Sequence, residues 1–319
     1  MSRPRPPATV LVTGAAGLIG SAVCRQLLER GVGVVACDDF SNGAWREDAA
    51  GLVWEELDLA DEGLAARLAG RAIEAVVHAA AHPGGRSLQE PVDDVRVNAL
   101  GSMRLFEWCA YSQVPVVYLS SSAVYGEQPP APIPESAPLK PATVYAVCKV
   151  ACEQFLRVLD AGAGLSWTTL RLFATYGAGH RPSLQQGMLN VMLTQLLAGN
   201  RVIVRGSLDR ARDFLYVDDA ARAIIHCLFE PSTRGRVLNV GTGVATTVRE
   251  LLTALCLVLG RRLEELTITQ APPTVGDPAY SVAEIGALSQ LGFQPQWTLQ
   301  AGLERLVQER TDRTCAASS

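Results

Sequence analysis

Residues 8–13 form an uninterrupted apolar run, Thr13-Gly14-Ala15-Ala16-Gly17-Leu18-Ile19-Gly20 follows as a glycine-spaced turn, and residues 17–30 then repeat apolar positions at helical spacing. The run suits a strand buried on both faces of a parallel sheet, and Leu18, Ile19, Val23, Leu27 and Leu28 give the following segment one apolar face. A turn of this kind joins a strand to a helix N-terminus. Gly14 admits the tight bend, Gly17 lets the backbone approach a pyrophosphate, and Gly20 lets helix and strand pack closely. The free N–H groups around Leu18 and Ile19 face the anion. A second strand, residues 32–37, ends in Asp38-Asp39. A carboxylate there accepts hydrogen bonds from the adenosine ribose hydroxyls and repels a 2′-phosphate, so NAD is expected rather than NADP, with Asp38 as the ribose ligand.

The rest of the chain continues the alternation. Strands are expected near Val10, Val34, Val76, Val116 and Thr168, with helices around Ala22, Leu64, Leu105 and Phe155. That order predicts an α/β fold: a Rossmann-type doubly wound parallel sheet with a smaller, mainly C-terminal substrate-binding domain. The NAD-binding part is expected to take residues 1–170 plus about 212–241, and the substrate part about 173–210 plus 242–319. A strand at 202–204 and helices at 251–259 and 281–291 are expected in the latter. The proline-rich stretch 129–141 reads as a loop leading into the next helix.

That helix carries Tyr145 and Lys149 in Tyr145-Ala-Val-Cys-Lys149. Positions i and i+4 share a helix face, so the ammonium can stand beside the phenol and favour its ionised form, making it a usable base. A Tyr-x-x-x-Lys spacing alone is most often a solvated helix face. Joined to the dinucleotide loop, it predicts an oxidoreductase-type enzyme.

At this point the chain resembles the extended short-chain dehydrogenase/reductase family, in particular its NAD-dependent nucleotide-sugar epimerases and dehydratases, from Thr13 to about Pro295. Asp58-Leu59 resembles the family's adenine-contacting Asp-Leu, and a helix N-cap is an equally available role for Asp58. The strand ending His78-Ala79-Ala80-Ala81 resembles the segment whose small side chains let the dinucleotide lie close, with His78 structural. Asn98-Ala-Leu-Gly101 resembles the motif that steadies the active-site helix, and Ser120-Ser121-Ser122-Ala-Val-Tyr125-Gly126 the serine-rich strand end. The resemblance puts the catalytic hydroxyl on Ser121, beside Ser122, with Ser120 ending the strand. Asn98, Tyr145 and Lys149 join the cofactor set. Arg212 in Arg212-Asp213-Phe214 resembles the arginine that grips the nucleotide diphosphate, a task suited to a planar guanidinium. Asp218 and Asp219 are expected to cap the helix that follows.

Departures from the family pattern are also informative. Related dehydratases carry Asp-Glu after the catalytic Thr, where this chain has Ser122-Ala123, so elimination lacks its usual acid and base. Ala174 stands where the family has a substrate-contacting Asn. Uronic-acid epimerases depart there too, and share an Arg-Pro that resembles Arg181-Pro182. Arg181 is thus a candidate for holding a carboxylate, against the alternative of a solvated loop residue. Thr274-Val275-Gly276-Asp277 lacks the Arg that often precedes Gly-Asp, leaving one phosphate contact unassigned. The segment containing Arg86 follows a strand end and is expected to line the sugar pocket.

The resemblance implies a transient oxidation that inverts carbon 4 of a UDP-hexose or UDP-hexuronate. A dehydratase or reductase of the same family, and a non-catalytic NAD sensor, are the alternatives. It also implies a homodimer through residues 91–112 and 143–161, whose apolar faces equally suit a core. Composition fits: 319 residues, 48% hydrophobic and 19% charged, with a formal charge of −4 that offers no general attraction for nucleic acid or anionic membrane. The opening apolar stretch is broken by glycines and is needed for the loop, so no signal peptide or membrane span is expected. Of eight cysteines, most fall within apolar patterns and none forms Cys-x-x-Cys, which argues against a metal site and for a reducing, cytoplasmic setting.

Overall fold

The computed structural model describes residues 7–82, 87–179 and 187–318; Arg86 and Arg181 fall outside them. Strand β1 (Thr9–Thr13) lies inside a parallel sheet, between β2 (Gly33–Asp38) and β4 (Ala75–His78). Outward from β2 is β3 (Leu52–Glu56), and outward from β4 are β5 (Val116–Ser121) and β6 (Trp167–Leu172). The chain then forms β7 (Ala174–Tyr176), β8 (Arg201–Arg205), β9 (Ala211–Arg212), β10 (Phe214–Tyr216), β11 (Arg236–Val240), β12 (Thr246–Thr247), β13 (Thr267–Ala271) and β14 (Tyr280–Ser281). Of these β11 returns to the large sheet beside β6, giving seven strands in the order 11-6-5-4-1-2-3. The expected doubly wound α/β sheet is present.

The helices are α1 (Leu18–Glu29), α2 (Leu64–Leu68), α3 (Pro91–Asp94), α4 (Ser102–Ser112), α5 (Val144–Ala163), α6 (Met188–Ala198), α7 (Val217–Phe229), α8 (Val248–Val258), α9 (Gly286–Gln290) and α10 (Leu299–Ser318). They cover both sheet faces, which explains why β1 is apolar at consecutive positions. Val10 and Val12 enter one buried cluster with Ala22, Leu27 and Ile224, and Leu11 enters the other with Phe106 and Leu156. Because β2 continues to one side of β1 and β4 to the other, the strand ends open a crevice between them, where open α/β sheets bind ligands.

The remaining strands make three small sheets. β10 pairs with β7, β13 with β8, and β9 lies between β12 and β14. The helix expected at 281–291 forms only over Gly286–Gln290: Ser281 is paired to Arg212 across β14 and β9, and Val282 and Ala283 are buried beside them. Sheet pairing takes the backbone groups that a longer helix would need. Asp218 and Asp219 do not cap α7. That helix begins at Val217 behind Tyr216 with no side-chain cap, and buried Asp219 instead accepts the backbone N–H groups of Gln296 (2.7 Å) and Trp297 (2.8 Å).

Candidate active site

The glycine turn is shaped by what it must leave out. Gly14 has φ +66°, and an added Cβ would lie 2.6 Å from both Cα and N of Ala80, so the β1 turn and the end of β4 approach with no room for a side chain. Gly17 precedes α1 and gives it no side-chain cap, leaving the first N–H groups at Leu18 and Ile19 to a ligand. Gly14, Gly17, Asp38, Asp39, Asp58, Leu59, Ala79 and Ala80 line one cleft. Asp38, at the end of β2, accepts from Ala16 N (2.9 Å) and Phe40 N (2.8 Å). Burial raises its carboxyl pKa, and those two N–H groups oppose the rise. Asp58 caps the turn at Ala60 N (2.8 Å) and pairs with Arg96 (2.6 Å); it does not cap α2, which starts behind Gly63. Small walls, free N–H groups and a terminal acid fit a dinucleotide. Ala79 and Ala80 would flank it and Asp38 would hold its adenosine ribose.

Beside this cleft stands the Tyr145 helix. Thr143 caps it through Ala146 N (3.2 Å), and Ser87 accepts the Tyr145 N–H (3.1 Å). Ser121 closes β5, accepts from Ala123 N (3.2 Å) and lies beside the Tyr145 phenol, whose ionised form its hydroxyl favours. Ser122 follows in a short 3₁₀ turn. Lys149 is buried, donates to Leu119 O (2.8 Å), and holds its Nζ 5.6 Å from the Tyr145 ring centre and 4.9 Å from that of Tyr118. Ser121, Tyr145 and Lys149 are therefore brought together.

Their electrostatics differ from the simple expectation of an ammonium ionising a phenol. Burial pushes the Tyr145 phenol up to about 12, with the nearby Ser121 hydroxyl opposing and the Asp94 charge adding to the rise. Burial also brings the Lys149 ammonium down to about 8, although Cys152, Asp94, Cys148 and Glu153 favour its charge. Loss of water is the largest influence on both groups, and it disfavours the charged form of each.

Asp94, Glu153 and Arg171 went unassigned in the sequence reading, and they extend the roles given there to Asn98, His78 and Ser120. Asp94, fully buried at the end of α3, accepts from Asn98 Nδ2. Asn98 also accepts the His82 N–H (2.7 Å) and donates to His82 O (3.0 Å), and its carbonyl accepts from Ser102 Oγ (2.6 Å) and Cys152 Sγ (3.0 Å). Asn98 lies in a π-helical stretch, Val95–Gly101, that joins α3 to α4 and turns these groups toward α5. His78 bridges Thr13 (2.7 Å) and Ser102 (2.8 Å), and burial holds its imidazole at about 3, so it is neutral and structural. Ser120 does more than end a strand. It donates to Glu153 (2.6 Å), which holds Arg171 at 2.6 and 3.0 Å, and Arg171 in turn reaches the Tyr125 hydroxyl (3.0 Å).

On the far side of the crevice, Arg212 is buried on β9 and pairs with Asp277. Asp213, fully buried, accepts from Thr242 N (2.8 Å), Gly243 N (2.9 Å) and Ala283 N (3.2 Å), tying the β11 turn to β14. Ala174, half-buried, opens β7. Among the described residues no cluster of His, Cys, Asp and Glu is placed to hold a metal ion, and no helix is long and apolar enough to cross a membrane.

Residues 10–241 match the model of the NAD dependent epimerase/dehydratase family. The chain belongs to this family. It is 35% identical over 307 residues to UDP-glucose 4-epimerase of Mycolicibacterium smegmatis, covering 93% of this chain and 97% of that one. It is 33% identical to UDP-glucuronate 4-epimerase 1 of Arabidopsis thaliana, over 94% of this chain and 76% of that protein. The structure of Thermus thermophilus UDP-glucose 4-epimerase in complex with NAD superposes with a TM-score of 0.87 at 33% identity, covering 94% of this chain and 98% of that one. As an epimerase/dehydratase family member the chain is an NAD-dependent enzyme.

Proposed function

We propose that this protein is an NAD-dependent UDP-sugar 4-epimerase, inverting carbon 4 of a UDP-hexose or UDP-hexuronate through a transient 4-keto-sugar. One observation carries the reading: Ser121, Tyr145 and Lys149 meet beside the dinucleotide cleft, in a chain similar along nearly its whole length to proteins of that name. Tyr145 takes the proton of the sugar hydroxyl while Ser121 hydrogen-bonds the same oxygen. NAD, held by Gly14, Gly17 and Asp38, would supply a reversible hydride acceptor for the sugar carbon, so the cycle would need no net oxidant. Lys149, anchored on Leu119 O, holds its charge near the phenol. Tyr145 returns the proton once the sugar has presented its other face. Ser122 and Ala123 follow Ser121 where elimination would need an acid and a base, which disfavours a dehydratase.

Arg212 is assigned to the diphosphate, Ser122 and Ala174 to the sugar, and Arg86 and Arg181 to the sugar side from sequence alone. The cofactor residues are Gly14, Gly17, Leu18, Ile19, Asp38, Asp39, Asp58, Leu59, Ala79, Ala80 and Asn98, within a domain of residues 1–170 plus about 212–241; the substrate domain takes the rest. Exposed Val92, Val95 and Leu100 on the 91–112 span and Val147 and Val158 on α5 support a homodimer through these helices. Buried, unpaired cysteines agree with a cytoplasmic setting.

The test is to supply purified enzyme separately with UDP-glucose, UDP-N-acetylglucosamine and UDP-glucuronate and to follow the 4-epimers. Interconversion of at least one is expected, and Tyr145→Phe should abolish it while sparing NAD binding. Failure with all three refutes the proposal.

A further inference from the structure

Arg210 and Arg212 lie two apart on the extended segment entering β9, a spacing that sends both side chains to one face. Both are buried, at 7% exposure each. They converge on opposite oxygens of a single carboxylate: Arg210 Nη1 reaches Asp277 Oδ2 and Arg212 Nη2 reaches Asp277 Oδ1. Backbone carbonyls aim the two guanidinium groups. Arg210 donates to Ser207 O (3.1 Å) and Arg205 O, and Arg212 to Ala211 O (2.7 Å) and Pro278 O. Two buried cations thus share one carboxylate, the one acidic side chain that pairs with either among the described residues. Buried charges are expensive unless paired, so a second anion is favoured here.

The cluster also lies on the substrate side of the crevice. An added Cβ at Gly276 would sit 2.6 Å from Thr143 Cγ2, so the segment bearing Asp277 packs on the start of α5, two residues before Tyr145. Ala279 N, next along that segment, donates to Glu127 (3.0 Å), which follows the turn after Ser121. The sequence has no arginine in Thr274-Val275-Gly276-Asp277 to supply a second phosphate contact beside Arg212.

We infer that Arg210 is that second contact: Arg210 and Arg212 form a paired-guanidinium clip for the diphosphate of the nucleotide sugar, at the place Asp277 marks as reachable from both. The clip rests on the nucleotide-sugar reading above and adds a specific ligand to it. Planar guanidinium groups offer two parallel donors to phosphate oxygens, and a lysine ammonium at the same site keeps the charge but not that geometry.

The test uses the NAD-loaded enzyme, with UDP as probe by calorimetry and uridine as the phosphate-free control by competition. Arg210→Gln should raise the Kd for UDP about 10- to 100-fold, the range of a lost charge-assisted hydrogen bond, and leave uridine unchanged. Arg210→Lys should give a smaller rise. UDP affinity in Arg210→Gln within about twofold of wild type overturns the inference, as does an equal loss for UDP and uridine, which would make Arg210 a scaffold of the β9 turn. If the wild-type enzyme binds no UDP, the nucleotide-sugar reading fails first and the clip with it. If it binds UDP and only the variant result is negative, the clip alone fails.

Discussion

Lys149→Met is expected to change stability in a pH-dependent way that exposes the cost of burying the amine. Lys149 is 3% exposed, and burial lowers its ammonium pKa from 10.5 to about 8 despite the opposing pull of Cys152, Asp94, Cys148 and Glu153. A displacement of that size corresponds to about 3 kcal/mol between the two protonation states. The folded amine binds a proton more weakly than the unfolded one. Between pH 8 and 10.5 the unfolded chain therefore carries more protons, and wild-type stability gains from this group as pH rises; below pH 8 the full penalty stands. Methionine removes the penalty and leaves Leu119 O without its 2.8 Å donor, a loss of roughly 1–3 kcal/mol. At pH 7.5 the variant should equal or exceed the wild type by up to about 2 kcal/mol. Its advantage should fall by about 3 kcal/mol by pH 10.5, while turnover is lost throughout. Groups that do not feel the Lys149 charge titrate alike in the two proteins and cancel in the difference; Cys148 and Cys152, which do feel it, are held raised by burial in both. Urea unfolding without added NAD, followed by tryptophan fluorescence at both pH values, measures it. A stability difference constant to within about 0.5 kcal/mol across that range would refute the reasoning.

Gly14→Ala places a methyl group 2.6 Å from the Ala80 backbone at φ +66°, so the β1 turn must shift; NAD affinity measured by calorimetry should fall at least about tenfold, and an unchanged affinity would contradict the close-approach argument. Glu153→Ala strips buried Arg171 of its carboxylate and Ser120 of its acceptor, and should cost about 3–5 kcal/mol in urea unfolding. A cost below about 1 kcal/mol would mean that the Tyr125 and Glu135 contacts of Arg171 suffice.

The parts of this molecule legible in the sequence are those whose chemistry is local. The glycine turn, the acid ending β2 and the i,i+4 pair on α5 each fit within a few consecutive residues, and the strand–helix alternation orders the large sheet. What escaped the reading depends on partners distant in sequence. Residues 281–291 have an apolar pattern that helix and strand share, and the Ser281 to Arg212 pairing decides it. The C-terminal helix α10 had a readable signal in Leu299, Leu303, Leu306 and Val307, the last three buried, but it lay beyond the stretch covered by the family resemblance. Asp94 has a local cue, since it stands four residues before Asn98, yet nothing nearby in sequence shows that it becomes fully buried and raises the Tyr145 pKa.

That burial also decides when the phenol can act. Spacing alone suggested that Lys149 ionises Tyr145, but a phenol at about 12 beside an amine at about 8 is neutral near pH 7. Asp94 contributes to this by opposing negative charge on the phenol and favouring positive charge on the amine. Further positive charge in the crevice, as the oxidised pyridinium of a bound dinucleotide would provide, favours the Tyr145 phenolate. Asp94→Asn should accordingly lower the pH at which the turnover of the NAD-loaded enzyme rises. A pH–rate profile unmoved by that substitution would place control of the phenol elsewhere.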